Sequence, residues 1–244
     1  MRSSDHVSGA TDSALSLGTP RALLERRVVA AEASKGTSGN AIYDAALTAA
    51  RAMDLTSRVL EFGAGTGTLI ARLTAESAVG TLTGADLLPR PDGIPDEVDW
   101  IQADLNVPLP CADASFDAII STEVIEHLEN PRAVFREFSR LLRPGGRLLL
   151  TTPNQESIRS LASLMVRGHF VAFLDESYPA HLTALVRRDF ERLCGETGFE
   201  PPRFAYTDDG AVPKWTAVHW QTVSFGLLRG RLFSDNMLVV TRRV

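Results

Sequence analysis

The feature that most constrains the fold is the run Arg58-Val59-Leu60-Glu61-Phe62 followed at once by Gly63-Ala64-Gly65-Thr66-Gly67. A short apolar run bounded by glycines reads as a buried strand. The glycines permit a tight turn and let a ligand approach the backbone with no Cβ in the way. A helix over residues 66–76 comes next, and its first N–H groups have no partner within the helix and favour an anion. The same alternation then repeats. Residues 82–86, 98–103, 116–121 and 147–152 read as further strands. Asn130-Pro131 caps a helix with Val134, Phe135, Phe138, Leu141 and Leu142 inward, stopped by Arg143-Pro144-Gly145-Gly146. Alternating strands and helices predict an α/β sandwich: a mostly parallel sheet with right-handed crossovers and helices on both faces.

The chain has 244 residues, enough for one domain with a large core. Residues 1–18, rich in Ser, Gly, Thr and Asp, read as a disordered tail. A single domain is expected over 19–244. It opens with two helices (19–53), the first with Thr19 as N-cap and Pro20 at its first position, the second over 40–53. Residues 154–187 break the rhythm and read as an insertion covering the active site, with a packing helix as the alternative. A helix over 189–198 and strands over 201–206 and 236–241 complete the pattern. Trp215, Trp220 and Phe225 line a substrate pocket or pack the insertion onto the sheet, and His219 between them reads as structural or exposed. Lys+Arg is 25 and Asp+Glu is 30, a net charge of −5, which argues against gripping a long nucleic acid. Cys111 and Cys194 lack a C-x-x-C partner, so neither a disulfide framework nor a zinc site is expected. The first residues lack the apolar region of a secretory leader, and no run reaches the roughly 20 apolar residues that span a bilayer. A cytoplasmic protein, monomer or homodimer, with no membrane partner is the expectation.

The glycine run departs from a dinucleotide fingerprint. G-x-G-x-x-G begun at Gly63 needs a glycine where Thr68 stands. The pattern is instead E-x-G-x-G-x-G, with Glu61 two positions ahead. A pyrophosphate gains nothing from that carboxylate, whereas the ammonium of an α-amino acid does. Asp86 ends the second strand, where an acid accepts ribose hydroxyls. Asp104 ends the third, where a carboxylate accepts an exocyclic amino group of adenine. Each acid alone reads equally well as a cap or a surface charge. Three at successive strand ends, where open α/β sheets bind ligands, point to one site.

The ordered set VLEFGAGTG, LTGAD, WIQADL, FDAIISTEVIEHLENP and LLRPGGRLLLTTPN resembles the successive motifs of class I S-adenosylmethionine (SAM)-dependent methyltransferases. The likeness is nearest to the ubiquinone-biosynthesis-like, methyltransferase type 11/23 branch, and covers about residues 55–155 and more weakly 181–200. It implies a Rossmann-like seven-stranded sheet with its last strand antiparallel. It also implies a site for SAM and its product S-adenosylhomocysteine. Glu61 would lie near the methionine amino group, Gly63, Ala64, Gly65 and Gly67 along the methionyl part, Asp86 on the ribose and Asp104 on the adenine. Leu87, Leu105 and Ser121 would complete the cofactor set.

The segment Ser121-Thr122-Glu123-Val124-Ile125-Glu126-His127 follows the fourth strand, at the cofactor's reactive end. Glu123 and His127, four apart, share a face if the segment is helical. Three roles fit. Glu126 and His127 orient the loop; or His127 or the later His181 serves as general base toward a hydroxyl, with Glu123 beside it; or Glu123, Glu126, His127 and His181 hold a divalent ion, as in the small-RNA 3′-end 2′-O-methyltransferases they resemble. E-x-x-E-H recurs across the branch, and Pro179-Ala180-His181-Leu182-Thr183 lacks the richer pattern of the RNA enzymes, so no metal is expected. The resulting expectation is O-methylation of a small molecule or sugar-containing metabolite. Metal-assisted methylation of an RNA end and a non-catalytic SAM-binding subunit are the alternatives.

Overall fold

The computed structural model describes residues 20–53, 55, 57–76 and 79–244, so the 1–18 tail and the Thr19 cap lie outside the described residues. Two helices lead, α1 (Arg21–Ala33) and α2 (Asn40–Arg51). Then come β1 (Arg58–Phe62), α3 (Thr68–Thr74), β2 (Thr81–Asp86), β3 (Asp99–Gln102) and β4 (Phe116–Thr122). They are followed by α4 (Pro131–Leu141), β5 (Leu142–Pro153), α5 (Ile158–Arg167), α6 (Arg187–Thr197) and β6 (Arg203–Tyr206). A hairpin of β7 (Ala211–Val212) and β8 (Trp215–His219), the short α7 (Trp220–Val223) and β9 (Asn236–Arg242) end the chain. The main sheet has the order β3-β2-β1-β4-β5-β9-β6. Pairing is parallel from β3 to β5, while β9 runs antiparallel to both β5 and β6. This is the class I methyltransferase arrangement that the motifs implied.

β1 is central because both of its faces are apolar. Leu60 and Phe62 join Phe135, Phe138 and Phe190, from α4 and α6, in one core. Val59 faces Ala46, Leu47, Ile70 and Val98 in the other, covered by α2 and α3. The period of two along the strand distributes the side chains in this way. β1 and β4 separate as they leave the sheet toward helices on opposite faces, and the cleft at their carboxyl ends holds the site.

Some element boundaries differ from expectation for local reasons. The first helical position of α3 is Thr68, because Gly67 holds a left-handed backbone (φ 74°). Residues 143–146 were expected to end α4 as a loop, yet they belong to β5, whose Leu142 pairs with Phe116 across a register shift. The Cys194 side chain is buried in the core, and Cys111 is partly buried against it.

Candidate functional site

Eight of the residues expected to bind cofactor line one cavity of about 500 Å³: Glu61, Gly63, Ala64, Gly65, Asp86, Leu87, Asp104 and Leu105. Gly67 and Ser121 do not line it. A Cβ on Gly67 would meet Ile94 Cδ1 at 2.0 Å, and the Ser121 hydroxyl donates to the Phe62 carbonyl at 2.8 Å. Both support the turn from behind.

The glycine turn is held from two sides. Gly63 and Ala64 donate to the Ala85 carbonyl at 2.8 and 3.0 Å, and Thr66 donates to the Gly36 carbonyl at 2.9 Å. Gly65 N–H donates to Asp86 Oδ2 at 2.8 Å, while Leu88 N–H reaches Oδ1 of the same carboxylate at 2.9 Å. Asp86 thus reads the loop as well as facing the cavity. Burial raises its pKa and the backbone N–H groups oppose that rise.

Glu61 is buried with Oε2 lacking any hydrogen-bond partner in the structure. Burial, and then the nearby charge of Asp86, hold its carboxyl well above the ordinary range. A buried carboxylate oxygen with no donor is costly unless a ligand supplies one. An ammonium group does so, and fits both the orphan oxygen and the pair of acids. The glycine cradle fits the same ligand: a Cβ on Gly63 or Gly65 would collide with Val124 or Gly36 within 2.2 Å.

A titration consequence follows. With a cation beside it, Glu61 ionises; without one it stays protonated above the usual carboxylate range. The folded, ligand-free chain therefore holds a proton that the unfolded chain has already lost. Its stability falls as pH rises from the ordinary carboxylate value through the raised one. Ligand binding in that window should release about one proton per site. Calorimetric titration with SAM near pH 6, in two buffers of different ionisation enthalpy, reads this directly. Identical heats in both buffers would contradict it, and Glu61→Gln should remove the buffer dependence.

Asp104 is buried, and Arg27 of α1 reaches it at 2.5 Å and also bonds Glu129. Neither Arg27 nor the Gly36-Thr37-Ser38-Gly39 turn was expected in the site, yet all five residues line the cavity. Two glycines within a Gly-Thr-Ser-Gly turn between helices were a readable sign of exposed backbone. Nothing in the sequence ties Arg27 to Asp104.

Glu123, Glu126, His127 and His181 share that cavity. The expected helical spacing of Glu123 and His127 does not occur. Glu123 has φ 54° and precedes a single 3₁₀ turn over Ile125–His127. Its carboxylate accepts from Thr151 and Asn236, both at 2.8 Å. The cluster that forms is Glu126, His127 and His181, whose potential ligand atoms lie within 4.8 Å of one another. The two imidazole rings stand edge to face, 4.8 Å between centroids. Each ring holds a backbone carbonyl through Nδ1: His127 that of Ala180 at 2.7 Å, His181 that of Ala172 at 2.5 Å. A neutral imidazole donating from Nδ1 leaves Nε2 as an acceptor. Burial, with the neighbouring His181 adding to it, pushes the His127 pKa down to about 4. Glu126 is fully buried; Oε2 accepts from Thr152 at 3.2 Å and Oε1 has no hydrogen-bond partner in the structure. Burial and the nearby Glu123 raise its pKa.

The late aromatics stand apart from this cavity. Trp215 and Phe225 are exposed, and Trp220 packs edge to face on Phe233 at 5.6 Å. His219 is paired with Asp209.

Residues 28–201 match the family described as a methyltransferase domain. Among curated relatives, a malonyl-[acyl-carrier protein] O-methyltransferase of Hahella chejuensis is 37% identical over 102 residues, covering 38% of this chain and 36% of that protein. A ubiquinone biosynthesis O-methyltransferase of Xanthomonas oryzae pv. oryzae is 33% identical over 171 residues, covering 60% of this chain and 68% of its own length. Among solved structures, the Burkholderia thailandensis 1,6-didemethyltoxoflavin-N1-methyltransferase, with its substrate and S-adenosylhomocysteine bound, superposes with a TM-score of 0.59. It is 16% identical and covers 91% of this chain and 88% of that one.

Proposed function

The chain belongs to the methyltransferase-domain family and is a SAM-dependent methyltransferase, and from that premise we propose that it methylates an oxygen atom of a small, acidic hydroxyl or carboxyl compound. The observation that carries this reading is the pair of imidazoles, each tied through Nδ1 to a carbonyl, in the cavity that also holds the glycine turn. SAM, when bound, supplies a methyl group already activated by the positive sulfur. The chain then has to orient it, exclude water and hold the acceptor's proton. Glu61 takes the amino-acid end, Asp86 the ribose and Asp104 the adenine. His127 or His181 accepts the hydroxyl proton at Nε2. Tyr178 and Leu182, from the insertion over 154–187, line the same cavity and form part of its cover.

The low pKa of His127 limits the acceptor. Full transfer from a phenol of pKa about 10 to an imidazole near 4 is uphill by roughly 8 kcal/mol. A hydroxyl far more acidic than a simple phenol fits better, and a carboxylic acid arrives already ionised and needs only to be positioned. The relatives, a malonyl-[acyl-carrier protein] O-methyltransferase and a ubiquinone biosynthesis O-methyltransferase, also methylate oxygen. A net charge of −5 favours a small molecule over an RNA end.

A second reading has its own observation. The unpartnered Oε1 of Glu126 and one ring nitrogen from each of the two imidazoles make a mixed oxygen and nitrogen set of the kind that suits a divalent ion. Glu126, His127 and His181 would hold it, and it would lower the acceptor's pKa.

The test is incubation with methyl-labelled SAM and a panel of phenols, catechols, carboxylic acids and amines, with and without chelator. Methyl ethers or esters are expected, and transfer confined to nitrogen, or none at all, would refute the oxygen assignment. Loss on chelation with recovery on adding Mg²⁺ or Mn²⁺ would select the second reading.

A further inference from the structure

α5 is amphipathic in the wrong sense for a helix facing water. Its buried residues are Ser160 and Ser163. Ser160 N–H donates to the N-cap Ser157 Oγ at 3.1 Å, and the Ser160 hydroxyl donates to Gln155 Oε1 at 3.1 Å. Most apolar bulk of α5 faces outward: Met165 and Val166 are 83% and 82% exposed and Leu161 and Leu164 are 40% and 38% exposed, while Ile158 and Ala162 are half-buried. An exposed helix normally buries its apolar stripe and offers its polar residues to water. A second stretch adds to this face. Phe225 and Leu227 are 95% and 84% exposed. The two stretches meet where Ile158 N–H bonds the Leu232 carbonyl at 2.9 Å and Asn154 holds the carbonyls of Arg231 and Ser234.

Within these two stretches the charged side chains are all cations, and the acids Glu156, Asp175, Asp209 and Asp235 stand at their borders. Residues 157–174 and 210–234 contain no Asp or Glu in a chain of net charge −5. They carry Arg159, Arg167, Lys214, Arg229 and Arg231. Arg159 is paired with Asp235 and Arg231 lies near Glu156. Among the described residues, Arg167, Lys214 and Arg229 form no ion pair.

From the exposed apolar residues of this helix and of the second stretch, with Arg167, Lys214 and Arg229 in the same stretches left without ion-pair partners among the described residues, we infer that the face formed by α5 and residues 210–234 docks onto an anionic phospholipid surface. Apolar side chains with cations beside them suit an interface where acyl chains lie under negative headgroups. A second copy of the chain fits less well, because a two-fold contact would oppose this cationic face to itself. Nor does any of these apolar residues line the cavity described above, so they have no role in holding SAM. No described helix is long and apolar enough to cross a membrane, so the contact is peripheral. This departs from the sequence expectation of no membrane partner, which rested on the absence of a spanning run. The same insertion carries Tyr178 and Leu182 into the cavity, so docking would set the acceptor's entrance near the lipid surface. The inference does not depend on which atom is methylated.

Co-sedimentation of the full chain tests it, using vesicles of phosphatidylcholine alone and of about three parts phosphatidylcholine to one part phosphatidylglycerol. Wild type should sediment with the mixed vesicles, less with phosphatidylcholine alone and less as salt rises. Met165→Asp combined with Phe225→Asp should lower the bound fraction about tenfold or more. These two side chains are almost wholly exposed, so S-adenosylhomocysteine affinity should stay unchanged, which verifies the fold. Wild type left in the supernatant overturns the inference, as does a double variant that binds vesicles as wild type does. Light scattering that finds a wild-type dimer and a monomeric double variant, with no vesicle binding by either, would assign the face to a second copy instead.

Discussion

Gly65→Ala should abolish measurable SAM binding and lower the unfolding midpoint by about 5–10 °C, which for a domain of this size corresponds to roughly 2–4 kcal/mol. Gly65 has φ +51°, and a Cβ there would stand 2.1 Å from the Gly36 carbonyl oxygen and 2.8 Å from its carbon. Both obstacles are backbone, so neither can rotate away. The left-handed conformation itself costs a non-glycine residue about 1–3 kcal/mol. Moving Gly36 breaks its bond to Thr66 N–H, at 2.9 Å, and moving Gly65 breaks its bond to Asp86, at 2.8 Å. Both of these bonds shape the cofactor cavity. Gly93→Ala is the control. It too has positive φ (+85°), but a Cβ there would meet nothing within 4 Å. It should cost about 1 kcal/mol of stability and leave SAM affinity intact. Thermal unfolding together with calorimetric titration separates the two effects. A Gly65→Ala protein that binds SAM as tightly as wild type would show that the turn does not hold the cofactor.

His127→Asn and His181→Asn should each lower kcat by about 10²–10⁴-fold, the range expected on losing a positioned proton acceptor. The change is chosen to separate two roles. An Asn amide N–H can still reach the carbonyl that each histidine holds through Nδ1, that of Ala180 or of Ala172. It has no atom at Nε2. Affinity for S-adenosylhomocysteine should therefore persist while turnover collapses. Variants that keep most of the wild-type kcat would reduce the histidines to ties between the β4 loop and the insertion. A fall in both affinity and turnover would point to collapse of the loop rather than to lost chemistry. The double variant should be little worse than either single one if the two imidazoles act as a unit.

The alternation of strands and helices, the glycine turn and the acids at strand ends were legible because each depends on neighbours in sequence. A period of two, a glycine with no Cβ and an acid closing a strand are local signals. Right-handed crossovers limit the ways such units can join, but the antiparallel last strand was implied only by the resemblance to the methyltransferase motifs, and the order β3-β2-β1-β4-β5-β9-β6 came from the structure. Boundaries slipped where a long-range bond overrode a local break, as at residues 143–146, which pair into β5 despite Pro144 and two glycines.

The reactive end was only partly readable. The residues Glu126, His127 and His181 stood out by type, but the i,i+4 pairing of Glu123 with His127 assumed a helix that the left-handed backbone of Glu123 forbids. Arg27 on Asp104 joins residues 77 positions apart, and no local pattern encodes such a partner. The inverted face of α5 was hidden for a related reason. Its apolar spacing was plain in the sequence, but the direction of that stripe depends on Gln155 and Ser157 bonding Ser160 and on the Leu232 carbonyl holding Ile158 N–H. By itself the sequence determined a mostly parallel sheet, the glycine cradle and the family, because strand period and turn chemistry act over a few residues. Only the tertiary structure decided which imidazole meets which carboxylate, what closes over Asp104 and which way the insertion faces, because those depend on contacts between segments whose approach the whole fold sets.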